Sequence, residues 1–155
     1  MGYCTVADVR DLVKDDMFNS ILGDNYIDEA DDKAAAKKEA DIISLTKSAI
    51  ADADAEINGY LAKRYSIPFK KTPAVLKKFS KDIAAYNLVS RMGIDEETPE
   101  KTYLTRYNSA IKFLTMAAEG KIEIGVSGTP QSSAANGFRV SSSKRLFSRE
   151  SMRGW

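Results

Sequence analysis

Histidine is absent from this sequence of 155 residues, and its absence narrows the chemistry that the chain can perform. Histidine is the usual general base in enzymes and the commonest ligand of transition metals. Serine or cysteine nucleophiles activated by histidine are therefore excluded, as are zinc sites that contain histidine. Cys4 is the only cysteine, so no disulfide bond can form within one chain.

The sequence also lacks the patterns that mark membrane proteins, secreted proteins and nucleotide-binding enzymes. The sequence contains no run of about 18 apolar residues, so it predicts no membrane-spanning helix. The first residues lack the basic and apolar regions of a signal peptide, so we expect synthesis in a cytosol. The motifs GxxxxGK[ST], GxGxxG and GxSxG are missing. We predict no enzyme activity, no cofactor and no metal.

Two groups of acidic residues are candidates for a site. Asp52 and Glu56 lie four residues apart on a predicted helix and would face each other, whereas Asp54 would lie on a different side. On a surface such carboxylates are ordinary solvated charges. Residues 24–32 are also acidic, but Glu29 stands where a calcium-binding loop needs glycine. An exposed loop and the acidic start of a helix explain that segment better.

Charge is divided unevenly along the chain, although the formal net charge is only +1. Residues 1–60 contain 14 Asp and Glu and 6 Lys and Arg, so their net charge is −8. Residues 61–155 contain 8 acidic and 17 basic residues, so their net charge is +9. Such a division can steer subunits head to tail or place a basic face near nucleic acid, or it can be two solvated faces that balance each other.

Helical periodicity dominates the first 120 residues. Thr5 and Asp8 resemble a capping box and predict the start of a first helix, which Gly23 interrupts. Residues 32–65 carry the longest helical pattern, with Ile43, Ile50 and Ile57 on one face. That face is widened by Ile42, Leu45, Ala49, Tyr60 and Leu61. Two Thr-Pro pairs, at residues 72–73 and 98–99, predict two more helix starts, with Thr as N-cap and Pro at the first helical position. Gly93 and Gly120 predict the ends of those helices.

The pattern changes after Gly120. Residues 122–126 alternate between apolar and polar and predict a short strand, and residues 127–143 are rich in Ser, Gly, Asn and Ala. We therefore predict a mainly α fold: a small bundle of about four helices, a short β-strand or hairpin element, and an extended C-terminal arm. The predicted domains are a helical core over residues 1–120 and an arm over residues 121–155.

The arm carries apolar and basic side chains typical of protein interfaces. From Arg139 onward it has five basic residues and one acidic residue. A segment with no core of its own is expected to become ordered on a partner, the alternative being that it folds back onto its own helices. The predicted partner-binding residues are Phe138, Arg139, Val140, Leu146, Phe147, Arg149, Met152, Arg153 and Trp155. Basic and aromatic residues also permit contact with nucleic acid, so a nucleic-acid-binding accessory protein is the alternative function.

Several runs of residues resemble the Mu-like bacteriophage head–tail connector family, in the same order along nearly the whole chain. The run over residues 51–65 and the ending over residues 147–155 are together the most specific. The similar runs are YCTVADV at 3–9, ADADAEINGYLAKRY at 51–65, Pro68, PAVL at 73–76, DIAAY at 82–86, GKI at 120–122 and FSRESMRGW at 147–155.

The resemblance implies a structural protein of the virion neck, made in the host cytoplasm. Such proteins form a homo-oligomeric ring, commonly of twelve copies, between the portal protein and the tail or stopper protein, and DNA passes through the lumen. Their helical cores pack side by side while extended arms reach neighbouring subunits or the portal. No catalytic residues are associated with the family, and no membrane contact is implied.

Overall fold

The computed structural model describes residues 2–23, 32–69, 71–95 and 97–125. Within them lie five α-helices in the order α1 (Val6–Arg10), α2 (Asp15–Leu22), α3 (Asp32–Leu61), α4 (Ala74–Val89) and α5 (Lys101–Ala118), with a 3₁₀ helix over Ser90–Met92 after α4. Helix α4 is the centre of the fold, because it packs against α1, α2, α3 and α5. The prediction of a mainly helical fold is confirmed for these residues.

The first predicted helix is divided into two short ones. Thr5 caps α1 as predicted: its Oγ1 accepts a hydrogen bond from the Asp8 backbone N–H at 3.3 Å, and Asp8 Oδ2 accepts from the Thr5 N–H at 3.0 Å. The chain leaves the α conformation at Lys14 and α2 begins at Asp15. Both helices bury apolar side chains in the same core, so one continuous periodicity in the sequence conceals the break.

Helix α3 buries most of the predicted face, but not all of the residues at heptad spacing. Ile50 and Ile57 lie in the core, but Ile42 is buried in place of Ile43, which is partly exposed. A straight α-helix drifts by about 20° per heptad, so residues seven apart do not keep one face over several turns. Thr46 completes the stripe, and its hydroxyl is satisfied inside the core by donating to the Ile42 carbonyl at 2.8 Å.

The predicted helix boundaries shift by a few residues. Helix α3 ends at Leu61, before Tyr65, and the two Thr-Pro pairs lie outside the helices that follow them. Pro73 occupies the N-cap position of α4, with no side-chain cap, so the predicted capping by Thr72 is wrong. Thr98 Oγ1 instead donates to the Asp95 carbonyl at 2.9 Å in a turn that precedes α5.

Helices α4 and α5 run antiparallel. Phe79, near the start of α4, lies with its ring centroid 4.8 Å from that of Phe113, near the end of α5. Tyr86, farther along α4, stacks on Tyr107, which comes earlier in α5, at 4.2 Å. Leu76, Ile83, Leu88 and Leu114 are fully buried in the core. The start of α5 therefore lies beside the end of α4, and the arm leaves from the opposite end of the bundle.

The predicted strand and hairpin are wrong for the residues that the structure describes. Gly120 ends α5 at φ +82°, with its N–H donating to the Ala117 carbonyl at 3.1 Å and the Lys121 N–H donating to Met116 at 2.9 Å. The chain then bends through residues 121–125, where Ile124 is buried and Gly125 has φ +71°. A strand needs a partner, and no other described residues form one. Val126 lies outside the described residues.

Candidate interaction surfaces

The predicted partner-binding residues all belong to the part of the arm that lies outside the described residues. They are Phe138, Arg139, Val140, Leu146, Phe147, Arg149, Met152, Arg153 and Trp155. The surfaces below therefore come from the helical core. They show what the core itself can offer to a partner.

A polar network holds the N-terminal segment against α3 and α4. Asp54 Oδ2 accepts from the Tyr3 backbone N–H at 3.0 Å, and Asp54 Oδ1 accepts from the Ser80 hydroxyl at 2.8 Å. The Tyr3 hydroxyl donates to Asn58. From the sequence, Asp54 is only the carboxylate that does not face Asp52 and Glu56, but in the structure it joins three segments of the fold. Sequence spacing could not reveal this, since Ser80 is 26 residues away.

Cys4 lies within the same network, and its surroundings make it a poor nucleophile. Its Sγ is buried and lies 3.1 Å from Ser80 Oγ. Burial raises the pKa of the thiol, with the nearby Asp54 carboxylate adding to the effect. The reactive form of cysteine is the thiolate, so a buried thiol with a raised pKa is inert.

The lysines at the start of α4 are engaged by carboxylates. Lys77 Nζ lies 2.9 Å from Asp8 Oδ2, and Lys78 Nζ lies 3.2 Å from the buried Asp82. Arg106 of α5 approaches the other oxygen of Asp82 at 3.7 Å. These pairs hold α1, α4 and α5 together. They also reduce the positive charge that this face could offer to a nucleic acid.

We expect the Asp8–Lys77 contact to make stability depend on pH. The Lys77 ammonium and the Thr5 hydroxyl and amide hold the pKa of Asp8 at about 2, below the ordinary value of about 3.9. Because the folded-state pKa is lowered, the stabilisation is complete above about pH 4 and is lost between about pH 4 and pH 2. After allowance for solvent screening it is about 1 kcal/mol.

Thermal unfolding of an Asp8→Asn variant between pH 2 and pH 6 measures this effect. The variant should be less stable than the parent at pH 6, and the two should converge towards pH 2. Asp11→Asn is the matched control, since Asp11 is an exposed aspartate on the same segment. A difference between the parent and Asp8→Asn that is the same at every pH would contradict the expectation.

Three tyrosines, one from each long helix, form a partly exposed cluster. Tyr107 of α5 stacks on Tyr86 of α4 at 4.2 Å and donates to Glu56 Oε1 of α3 at 3.1 Å. Tyr60 is near enough to contribute to the raised pKa of Tyr107, which burial and the Glu56 hydrogen bond bring to about 12. Glu56 is thus tied to α5, while Asp52, four residues earlier, is exposed. The two carboxylates form no acid–base pair.

An open groove lies where α2, the 3₁₀ helix and the start of α5 meet. It has a volume of about 480 Å³. We call it the acidic groove, since Asp95 and Glu100 are the charged residues among its described lining. Its lining consists of Met17, Ser20, Met92, Gly93, Ile94, Asp95 and Glu100. The sequence predicts Gly93 as a helix end but gives no sign that Met17, 76 residues earlier, lies near it.

Neither a metal site nor a membrane-spanning helix is found in the described part of the chain. No group of three or more Cys, Asp or Glu residues there is arranged to hold a metal ion. None of the helices described is long and apolar enough to cross a membrane.

Comparison with known proteins gives the family of the chain. Residues 3–142 match the family described as Bacteriophage Mu, Gp36. The chain belongs to the Bacteriophage Mu Gp36 family. The match covers all five helices and continues through residues 126–142, so the polar first part of the arm falls within the family pattern. Residues 144–155 lie beyond it.

Two curated relatives of this Gp36 family chain come from phage Mu and a Mu-like prophage. The Mu-like prophage FluMu protein gp36 of Haemophilus influenzae is 30% identical over 110 residues, which cover 70% of this chain and 74% of the relative. Gene product J of Escherichia phage Mu is 28% identical over 109 residues, which cover 69% of this chain and 73% of the relative. The sequence-based assignment to a Mu-like phage family is confirmed.

Proposed function

We propose that this Gp36 family protein is a head–tail connector subunit of a tailed phage. In this proposal, copies form a ring, commonly of twelve, in the virion neck. The ring joins the portal protein to the tail or stopper protein, and DNA passes through its lumen. The observation that carries the proposal is the family match over residues 3–142, which extends beyond the helical core into the arm.

The described core supports this function in a further way. A ring needs heterologous contacts, in which one patch of a subunit meets a different patch of the next subunit. The bundle has two different ends: the acidic groove at one, and at the other the exposed Lys63 and Lys71 near the point where the arm leaves. An arm that becomes ordered only on a partner would keep the subunit soluble until assembly.

Electron microscopy of the particle neck tests the proposal directly. We expect density for the five-helix core, repeated around the axis between the portal and the tail. Native mass spectrometry of the purified protein at high concentration, or bound to portal protein, should show a multiple of the 17.1 kDa chain. Finding the protein only in the tail tube or tail tip, or absent from particles, would contradict it.

A further inference from the structure

The acidic groove combines apolar side chains with two carboxylates that are not paired with a described Lys or Arg. Met17, Met92 and Ile94 are partly exposed there, and Asp95 and Glu100 form no ion pair with a Lys or Arg of the described residues. We propose that this groove receives the basic C-terminal segment, residues 144–155, of a neighbouring copy. The inference rests on the proposed ring and adds to it the site at which the arm binds.

The shape and composition of the groove suit bulky side chains. Its volume of about 480 Å³ lies within the range of sites that bind small molecules, so one or two large side chains fit. Methionine is flexible and polarizable and adapts to irregular apolar partners. The segment supplies Leu146, Phe147, Met152 and Trp155, which are costly to leave in water.

The charges of the two surfaces are complementary. The segment contains four basic residues and one acidic residue. Asp95 Oδ1 accepts from the Glu97 N–H at 2.9 Å, which leaves its other oxygen for a partner. Glu100 occupies the N-cap position of α5, yet its side chain makes no capping hydrogen bond. Arg149 and Arg153 flank Met152 and would bring two cations to these two carboxylates.

The direction of the chain favours a neighbouring copy as the source of the segment. The arm leaves at the end of α5, whereas the groove lies at its start, about 27 Å away for a helix of 18 residues. To reach its own groove, the arm would run back past the exposed Arg106 and Lys112 of α5. Residues 126–143 span up to about 60 Å when extended, which is enough to bridge two adjacent copies.

Trp155 is the only tryptophan in the chain and reports on the segment in the full-length protein. We expect its emission to move to shorter wavelength as protein concentration rises at low salt, in parallel with self-association measured by sedimentation. The variant Asp95→Lys/Glu100→Lys should weaken self-association about tenfold, since exposed charge pairs contribute modestly and charge reversal adds repulsion.

A charge exchange makes the test specific. Arg149→Glu/Arg153→Glu should weaken self-association as much as the groove variant does, and combining all four substitutions should recover most of the loss. Asp52→Lys/Glu123→Lys is the matched control, since it makes the same charge change at exposed positions outside the groove. If the groove variant has a lowered melting temperature, the milder Asp95→Asn/Glu100→Gln replaces it. About half of the loss of self-association is then expected.

Two outcomes overturn the inference. An emission shift that is independent of concentration places the segment on its own core. Self-association that the groove variant leaves unchanged shows that the arm binds elsewhere, and the connector proposal then stands without this contact. If charge exchange succeeds but the protein is absent from the particle neck, the groove contact stands and the connector function fails.

Discussion

Removal of residues 139–155 is expected to leave a folded helical core that no longer joins phage heads to tails. The five described helices end at Ala118, so the deletion removes none of the buried contacts among the described residues. It removes the apolar and basic side chains predicted to bind a partner. Interfaces depend on a few such anchors, each worth about 2 kcal/mol or more, so losing all of them should abolish binding.

Complementation of a phage that lacks this gene measures the effect. The truncated protein should give helical content and a melting temperature close to those of the parent, but few infectious particles and an accumulation of separate heads and tails. Replacement of Ser141, Ser142 and Ser143 by alanine is the control, because it changes the same arm without removing an anchor. Normal yields of infectious particles from the truncation would count decisively against the connector function.

Gly120→Ala is expected to be the most damaging single exchange of a described glycine. Gly120 has φ +82°, where a side chain adds about 1–2 kcal/mol of strain. A Cβ there would also overlap the Arg64 guanidinium, with its Cζ at 2.9 Å. Overpacking costs about 1–3 kcal/mol in a core, and the low end applies here because the guanidinium is the far end of a flexible side chain that can shift. We expect a total loss of about 2–3 kcal/mol of unfolding free energy.

Two further variants separate these causes. Gly93 has φ +84°, and a Cβ added there would meet no atom within 4 Å, so Gly93→Ala should cost only the backbone strain, about 1–2 kcal/mol. When Arg64 is also replaced by alanine, the loss of unfolding free energy due to Gly120→Ala should fall to that of Gly93→Ala. Urea unfolding of the variants gives these values. Equal losses for Gly120→Ala and Gly93→Ala would show that Arg64 simply moves aside.

The contact between Gly120 and Arg64 also matters for the proposed function, because it fixes where the arm leaves the core. The guanidinium of Arg64 is held between the end of α5 and the Tyr65 ring, 5.9 Å from the ring centroid, and its Nε is buried without a hydrogen-bond partner among the described residues. The guanidinium therefore packs as a flat surface against its neighbours. A change here should alter the exit of the arm as well as the stability of the core.

Much of the fold followed from local features of the sequence. The capping box of Thr5 and Asp8 and the glycines that end helices act through contacts a few residues apart, which is why they could be predicted. The family was evident from runs of residues, above all residues 51–65. The absence of histidine excluded whole classes of chemistry without any structure.

What only the tertiary structure decided depends on residues far apart in the chain. It divided the first helix in two, placed Ile42 rather than Ile43 in the core, and left residues 122–125 without a strand partner among the described residues. It also made Asp54 a structural link to Ser80 and brought Met17 beside Gly93. Periodicity specifies that a helix has a buried face, but the facing helices determine which residues fill it. The acidic groove exists only because α2 meets the 3₁₀ helix and the start of α5.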